Sequence, residues 1–239
     1  MDPLAAALVA CAAVLHVAWN LLLKTAGDPL RTAAVGVVVA SVALVPFAAV
    51  VWLLDGGRPI PPEALTIGVV SGGVEVVYFV LLSAAYRRGD LSLVYPLARG
   101  TAPLLAVTIG VLVLGERLPP MGVAGVALLL AGLLAVQRPW RLLGRAAAAD
   151  RPAAGFALLT GVAIATYSAL DRVGAQLVHP LVYAAILWVT CALGLAAWVA
   201  VLGRRGAPAS TADAGAGPNR LDVRRGTAAG GLTVIAYGV

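Results

Sequence analysis

Residues 89–116 read GDLSLVYPLARGTAPLLAVTIGVLVLGE, and this stretch decides what kind of molecule the chain is. It is apolar enough to cross a bilayer, yet Arg99 stands near its middle with Tyr95 one helical turn earlier. Pro96, Gly100 and Pro103 surround the arginine. A guanidinium keeps its proton, so in hydrocarbon it needs an acceptor or a water-filled cavity. Prolines bend a helix and free backbone carbonyls that need other partners. A charged, kinked helix in a membrane is costly, and the default reading of that cost is a binding site. The other reading is an arginine that snorkels to the interface. Asp90 and Glu116 are both more than two helical turns from Arg99, which makes that a long reach.

The rest of the chain fits a membrane setting. Hydrophobic residues make up 61% of 239 and charged ones 12%, more apolar surface than a soluble core of this size consumes. The formal charge of +6 comes mostly from arginines in short gaps between apolar runs. That distribution reads as topology signals and not as a nucleic-acid face. Cys11 and Cys191 fall inside apolar runs, and their number and spacing suggest neither a disulfide framework nor a metal site.

Eight apolar runs are predicted as helices of an all-α, polytopic membrane bundle. The first is Pro3 to Leu23, followed by a polar turn from Lys24 to Pro29. It contains His16, Trp19 and Asn20 and lacks a basic leader, so it reads as a retained helix. The second spans Thr32 to Leu54, and the Gly/Pro-rich segment Asp55 to Glu63 breaks it from the third, Ala64 to Tyr86. The opening stretch is the fourth, and Pro119 to Val136 the fifth. A basic linker, residues 138–154, leads to Gly155–Leu177 and Leu181–Leu202. A Gly/Ala/Pro/Arg loop from Gly203 to Arg225 precedes the last run, Gly226 to Val239.

The pattern repeats. His16-Val-Ala-Trp19-Asn20-Leu-Leu-Leu-Lys24 aligns with Ile164-Ala-Thr-Tyr167-Ser168-Ala-Leu-Asp171-Arg172, and Gly72-Gly73 with Gly230-Gly231. A first repeat is therefore expected at residues 1–137 and a second at 155–239, stopping within its third helix. An odd number of helices per copy inverts the second copy in the membrane. Charges agree. The gaps after the first, third, fifth and seventh runs hold two, two, four and five Lys/Arg, thirteen in all. The gaps after the second, fourth and sixth hold one each. The positive-inside rule then puts the N-terminus outside. Repeat arithmetic also expects the second copy to need residues beyond Val239, to near or past residue 285.

The fourth and fifth runs with Pro96 and Pro103, the Leu114-Gly115-Glu116-Arg117-Leu118 junction, and Gly122 to Gly132 resemble the end of the first repeat in EamA-like members of the drug/metabolite transporter superfamily. LHVAWNLLLKTAGDP and RRGDLSLVYPLARGTAP narrow the likeness to a subset. The resemblance covers essentially the whole chain and implies ten helices in two inverted five-helix repeats, with substrate held centrally. Here about eight of the ten are present, and the charge count opposes the cytoplasmic N-terminus of many family members.

The candidate substrate-binding residues are Arg99, Glu75, Tyr95, Tyr78, His16, Asn20, Trp19 and Tyr167. His16 and Asn20 share one face of the first helix with Trp19 beside them; they read equally as cavity residues or as helix–helix glue. Glu75 sits mid-span in the third helix, three residues before Tyr78. It could pair with Arg99, structurally or in function, or carry a coupling proton. Tyr167 is expected in the cavity, whereas Asp171 and Arg172 are expected at an interface. Tyr86 and Trp52 read as interfacial anchors, and Glu116 as structural. There is no HExxH, GxSxG, P-loop or Cys/His cluster, so no catalytic set, metal or cofactor is expected.

These residues lead to a secondary transporter, exporter or permease, of small polar, anionic or zwitterionic metabolites in a bacterial inner membrane. Its partners would be a small-molecule substrate, the bilayer and a coupling proton or ion, with no nucleic acid and no assigned oligomeric state. Binding is expected near the midplane between helices 1, 3, 4 and 6. The alternatives are a proton-coupled exporter of cationic drugs, or a non-transporting membrane scaffold or enzyme.

Overall fold

A computed structural model describes residues 3–112, 117–137, 151–205 and 223–231 of the chain, and all regular structure among them is helical. The helices are α1 (Pro3–Lys24), α2 (Pro29–Leu54), α3 (Pro62–Arg88), α4 (Leu91–Leu112), α5 (Pro120–Gln137), α6 (Arg151–Leu177) and α7 (Pro180–Arg205). Residues 223–231 are helical as well. Among the described residues α2, α3, α6 and α7 are each long and apolar enough to cross a membrane. The Leu114-Gly115-Glu116 junction, linker residues 138–150, loop residues 206–222 and the last run from 232 onward lie outside the described residues.

Local chemistry sets the ends. Asp28 caps α2, its carboxylate accepting from the backbone N–H of Leu30 (3.1 Å) and Arg31 (3.2 Å), with Pro29 in the first turn. At the other end Gly56 and Gly57 take positive φ, 87° and 61°, a turn that other residues resist. There the Trp52 indole donates to the Arg58 carbonyl at 2.7 Å. α3 carries Glu63 in its first turn and Arg87 and Arg88 in its last, matching the helix dipole. The linker expectation needs correcting at one edge. Residues 151–154 belong to α6, because Pro152 is tolerated in a first turn, where no backbone donor is needed. The final helical segment likewise begins at 223, three residues before the sequence reading placed it.

The chain forms two compact units, Met1–Val76 with Asp171–Val239, and Val77–Leu170; the boundaries fall inside α3 and α6. In the first unit two helix contacts are built alike. On α3, a Cβ at Gly72 would stand 2.5 Å from the Leu187 carbonyl oxygen and 2.7 Å from Thr190 Cβ. One turn back, a Cβ at Gly68 would meet Ile186 at 2.8 Å and Tyr183 at 3.5 Å. In the segment 223–231, a Cβ at Gly230 would stand 2.5 Å from the Gly36 carbonyl and 2.9 Å from Val39. A Cβ at Gly226 would meet Val35 at 2.7 Å and the Thr32 carbonyl at 2.9 Å. Glycines four apart thus bring α3 onto Tyr183, Ile186, Leu187 and Thr190 of α7. The same spacing brings the last segment onto Thr32, Val35, Gly36 and Val39 of α2, in identical register. The α2 and α7 helices also touch directly, Ser41 Oγ donating to the Trp188 carbonyl at 3.0 Å.

In the second unit α4 and α6 approach through Gly161, where a Cβ would lie 2.9 Å from the Ala98 carbonyl oxygen. Arg88 lays its guanidinium over the Phe156 ring, 4.6 Å from the centroid.

Candidate functional site

The second unit gathers Arg99, Tyr78 and Tyr167. Tyr78 is buried on α3, and the Arg99 guanidinium donates to its hydroxyl in a long contact of 3.4 Å. Tyr167 of α6 stands edge-on to Tyr78, ring centroids 5.8 Å apart at 79°. Phe79 also meets Tyr78 edge-on, ring centroids 4.8 Å apart. Tyr95 and Tyr86 belong to the same neighbourhood, since Tyr86 lies within electrostatic range of Tyr78, Arg99 and Tyr95. Tyr86 is 2% exposed, so it is a buried member of this aromatic set and not the interfacial anchor expected from its place beside Arg87. Arg99 also lines a groove of about 590 Å³ with Pro96 and Gly100 of α4 and with Gly125, Leu129 and Gly132 of α5. One guanidinium offers five donors in a planar fork, suited to a carboxylate or phosphate. The glycines leave room beside it.

A second polar set lies in the first unit. Glu75 is buried in α3 beside the buried Cys191 of α7. Ser71, one turn before Glu75, donates to Asp171 Oδ1 at 2.5 Å, and the Tyr183 hydroxyl donates to the same oxygen at 2.9 Å. Asp171 lies close enough to Glu75 for the two carboxyls to feel each other. The expectation that Asp171 is interfacial is therefore corrected: it is held between hydroxyls of α3 and α7. Ser71 and Tyr183 were not singled out in the sequence. The available signal was their spacing from Glu75 and from the helix-breaking His179-Pro180 pair. Glu75 and Arg99 fall in different units.

The α1 trio is internally bonded. The Trp19 indole donates to His16 Nδ1 at 3.1 Å, the rings meeting edge-on at 5.6 Å, and the Asn20 amide donates to the His16 carbonyl at 2.8 Å. Asn20 and Trp19 are buried, while His16 is half-buried. Among the described residues no group of three or more His, Cys, Asp or Glu could hold a metal ion.

An apolar helix bundle that sets a half-buried arginine beside tyrosines, and carboxyls beside hydroxyls, has the build of a multi-pass integral membrane protein. Comparison with known families makes the class specific: the model of the EamA-like transporter family matches residues 2–137. That is more than half of the chain, and the protein belongs to this family of membrane transporters. No curated protein and no solved structure matches it.

Proposed function

We propose that the protein is a secondary transporter of small anionic or zwitterionic metabolites, with Arg99 as the group that meets the substrate's negative charge. The observation that carries this reading is the placement of Arg99. It lines an otherwise apolar, glycine-rich groove and touches a buried tyrosine. A membrane helix keeps such a charge where it has work to do. Tyr78, Tyr95, Tyr167 and Tyr86 supply ring faces and hydroxyls around it.

Alternating access between two inverted repeats, N-terminus outside, is the proposed mechanism. The matched glycine contacts of α3 with α7 and of residues 223–231 with α2 support it, since inverted copies exchange partners in this reciprocal way. Glu75, with Asp171 beside it, is the proposed coupling group, and the bacterial inner membrane the proposed location.

That carboxyl pair also favours a second reading, a proton-coupled exporter of cations. Uptake into proteoliposomes of the full chain separates the two. We expect competition by carboxylates and amino acids and none by quaternary or protonated amines. The opposite ranking would replace the first reading by the second. Reporters fused at Gly57 and after Arg145 test the orientation and should report outside and cytoplasm respectively.

A further inference from the structure

The α2–α7 pair carries two grooves of the same construction. One lies between Ala34, Val35 and Val38 of α2 and Ala196, Val199 and Ala200 of α7, about 460 Å³ in volume. The other, about 390 Å³, lies between Ala185, Ile186 and Val189 of α7 and Val45, Ala48 and Ala49 of α2. Their α2 and α7 walls occupy the same register with the helices exchanged, the second groove being walled in addition by Trp52, Ile60, Leu65 and Val69. Where the first groove begins at Arg31, the second has Val182.

The surrounding charge differs in the same sense. Lys24 closes α1, and Arg224 and Arg225 open the last helical segment, whose Gly226 abuts Thr32 and Val35. Arg225 donates to the Thr25 carbonyl, which ties that segment to the same end of the unit. Residues 24–31 and 223–231 together hold four cations and one acid, Asp28, which pairs with Arg31 at 3.3 Å. At the end of α2 nearest the second groove, Asp55 and Glu63 flank the single cation Arg58.

We propose that the groove beginning at Arg31 binds an anionic phospholipid, one acyl chain lying along α2 and α7 and the phosphate headgroup seated among Arg31, Lys24, Arg224 and Arg225. An acyl chain gains little by leaving one apolar surface for another, so selectivity has to come from the headgroup. A cation near the membrane surface favours an anionic lipid by about fivefold. The cations are in excess here, so the preference over a zwitterionic lipid is expected to be on the order of tenfold or more. The site does not depend on the transport reading, because none of its residues belongs to the Arg99 neighbourhood.

The test is native mass spectrometry of the full chain with phosphatidylglycerol and phosphatidylcholine of identical acyl chains. Phosphatidylglycerol should be retained about tenfold more strongly. Arg31→Gln should cut that preference several-fold. Ala196→Trp, which fills the groove, should lower retention of both lipids, whereas Val45→Trp in the sister groove should leave the preference intact. Glycerol phosphate, with the headgroup but no chains, should not compete. Equal retention of the two lipids overturns the proposal, as does a preference that survives both Arg31→Gln and Ala196→Trp. Competition by glycerol phosphate would reduce the site to a bare anion site and overturn it. A dimer abolished by Ala196→Trp would put a second copy in the groove instead of a lipid.

Discussion

The contact of α3 with α7 and the contact of residues 223–231 with α2 have the same backbone solution and different side chains. Each uses two glycines four apart against four residues of the partner helix. In the α3–α7 contact Ser71 and Glu75 flank the second glycine, and Tyr183 reaches Asp171. In the other, the position of Ser71 is taken by Ala229 and that of Tyr183 by Thr32. By the alignment of α1 with α6, Leu23 stands where Asp171 does. Ala229, Leu23 and Thr32 are all buried, and the Thr32 hydroxyl has no hydrogen-bond partner among the described residues. Among the described residues this second contact closes without a carboxyl, and a buried acid is costly in a membrane; the coupling role proposed for Glu75 and Asp171 rests on that cost.

The comparison can be broken most sharply at the glycines. Gly72→Val and Gly230→Val should each abolish folded protein in fluorescence-detected gel filtration, because the new Cβ meets a backbone oxygen that no side-chain rotation can move. Overpacking costs about 1–3 kcal/mol per site, enough to unfold a marginal bundle. If only one substitution were harmful, the two contacts would not be equivalent. The next effect is functional. Asp171→Asn keeps the one oxygen that accepts from both Ser71 and Tyr183, so the protein should fold, while transport driven by a pH gradient should drop about tenfold or more, on the order of 1.4 kcal/mol. Unchanged pH-driven transport would return Asp171 to a packing role.

Smaller is the difference between the two hydroxyls. Tyr183→Phe removes a bond to a carboxyl and should lower thermal stability by about 1 kcal/mol. Thr32→Val removes an unbonded hydroxyl and should leave stability unchanged or slightly raised. Equal losses would show that Thr32 is bonded after all. Smallest are Gly73→Ala and Gly231→Ala, whose Cβ positions are open; both should behave as wild type in the same gel-filtration assay.

The helices were legible because a membrane-spanning helix must be a long apolar run, and Gly and Pro punctuate the gaps. Arg99 and Glu75 were legible as mid-span charges. Gly72 and Gly230 were legible as a repeat, but their partners on α7 and α2 were not, since Val, Ile and Leu look the same whether they face a helix or lipid. Asp171 was misread because its neighbour Arg172 pulls an apolar run toward an interface, while the turn that ends α6 comes only at Leu177. Tyr86 was misread for the same reason beside Arg87 and Arg88. Side-chain burial depends on which helix covers a face, and periodicity does not carry that information.

Substrate recognition by Arg99 is tested most directly by transport of a radiolabelled small carboxylate into proteoliposomes, comparing the wild type with Arg99→Leu and Arg99→Lys at matched levels of inserted protein. Loss of transport in Arg99→Leu is expected, with partial recovery in Arg99→Lys, which restores the charge but not the fork. Undiminished uptake by Arg99→Leu would show that the arginine holds the helices and does not meet the substrate.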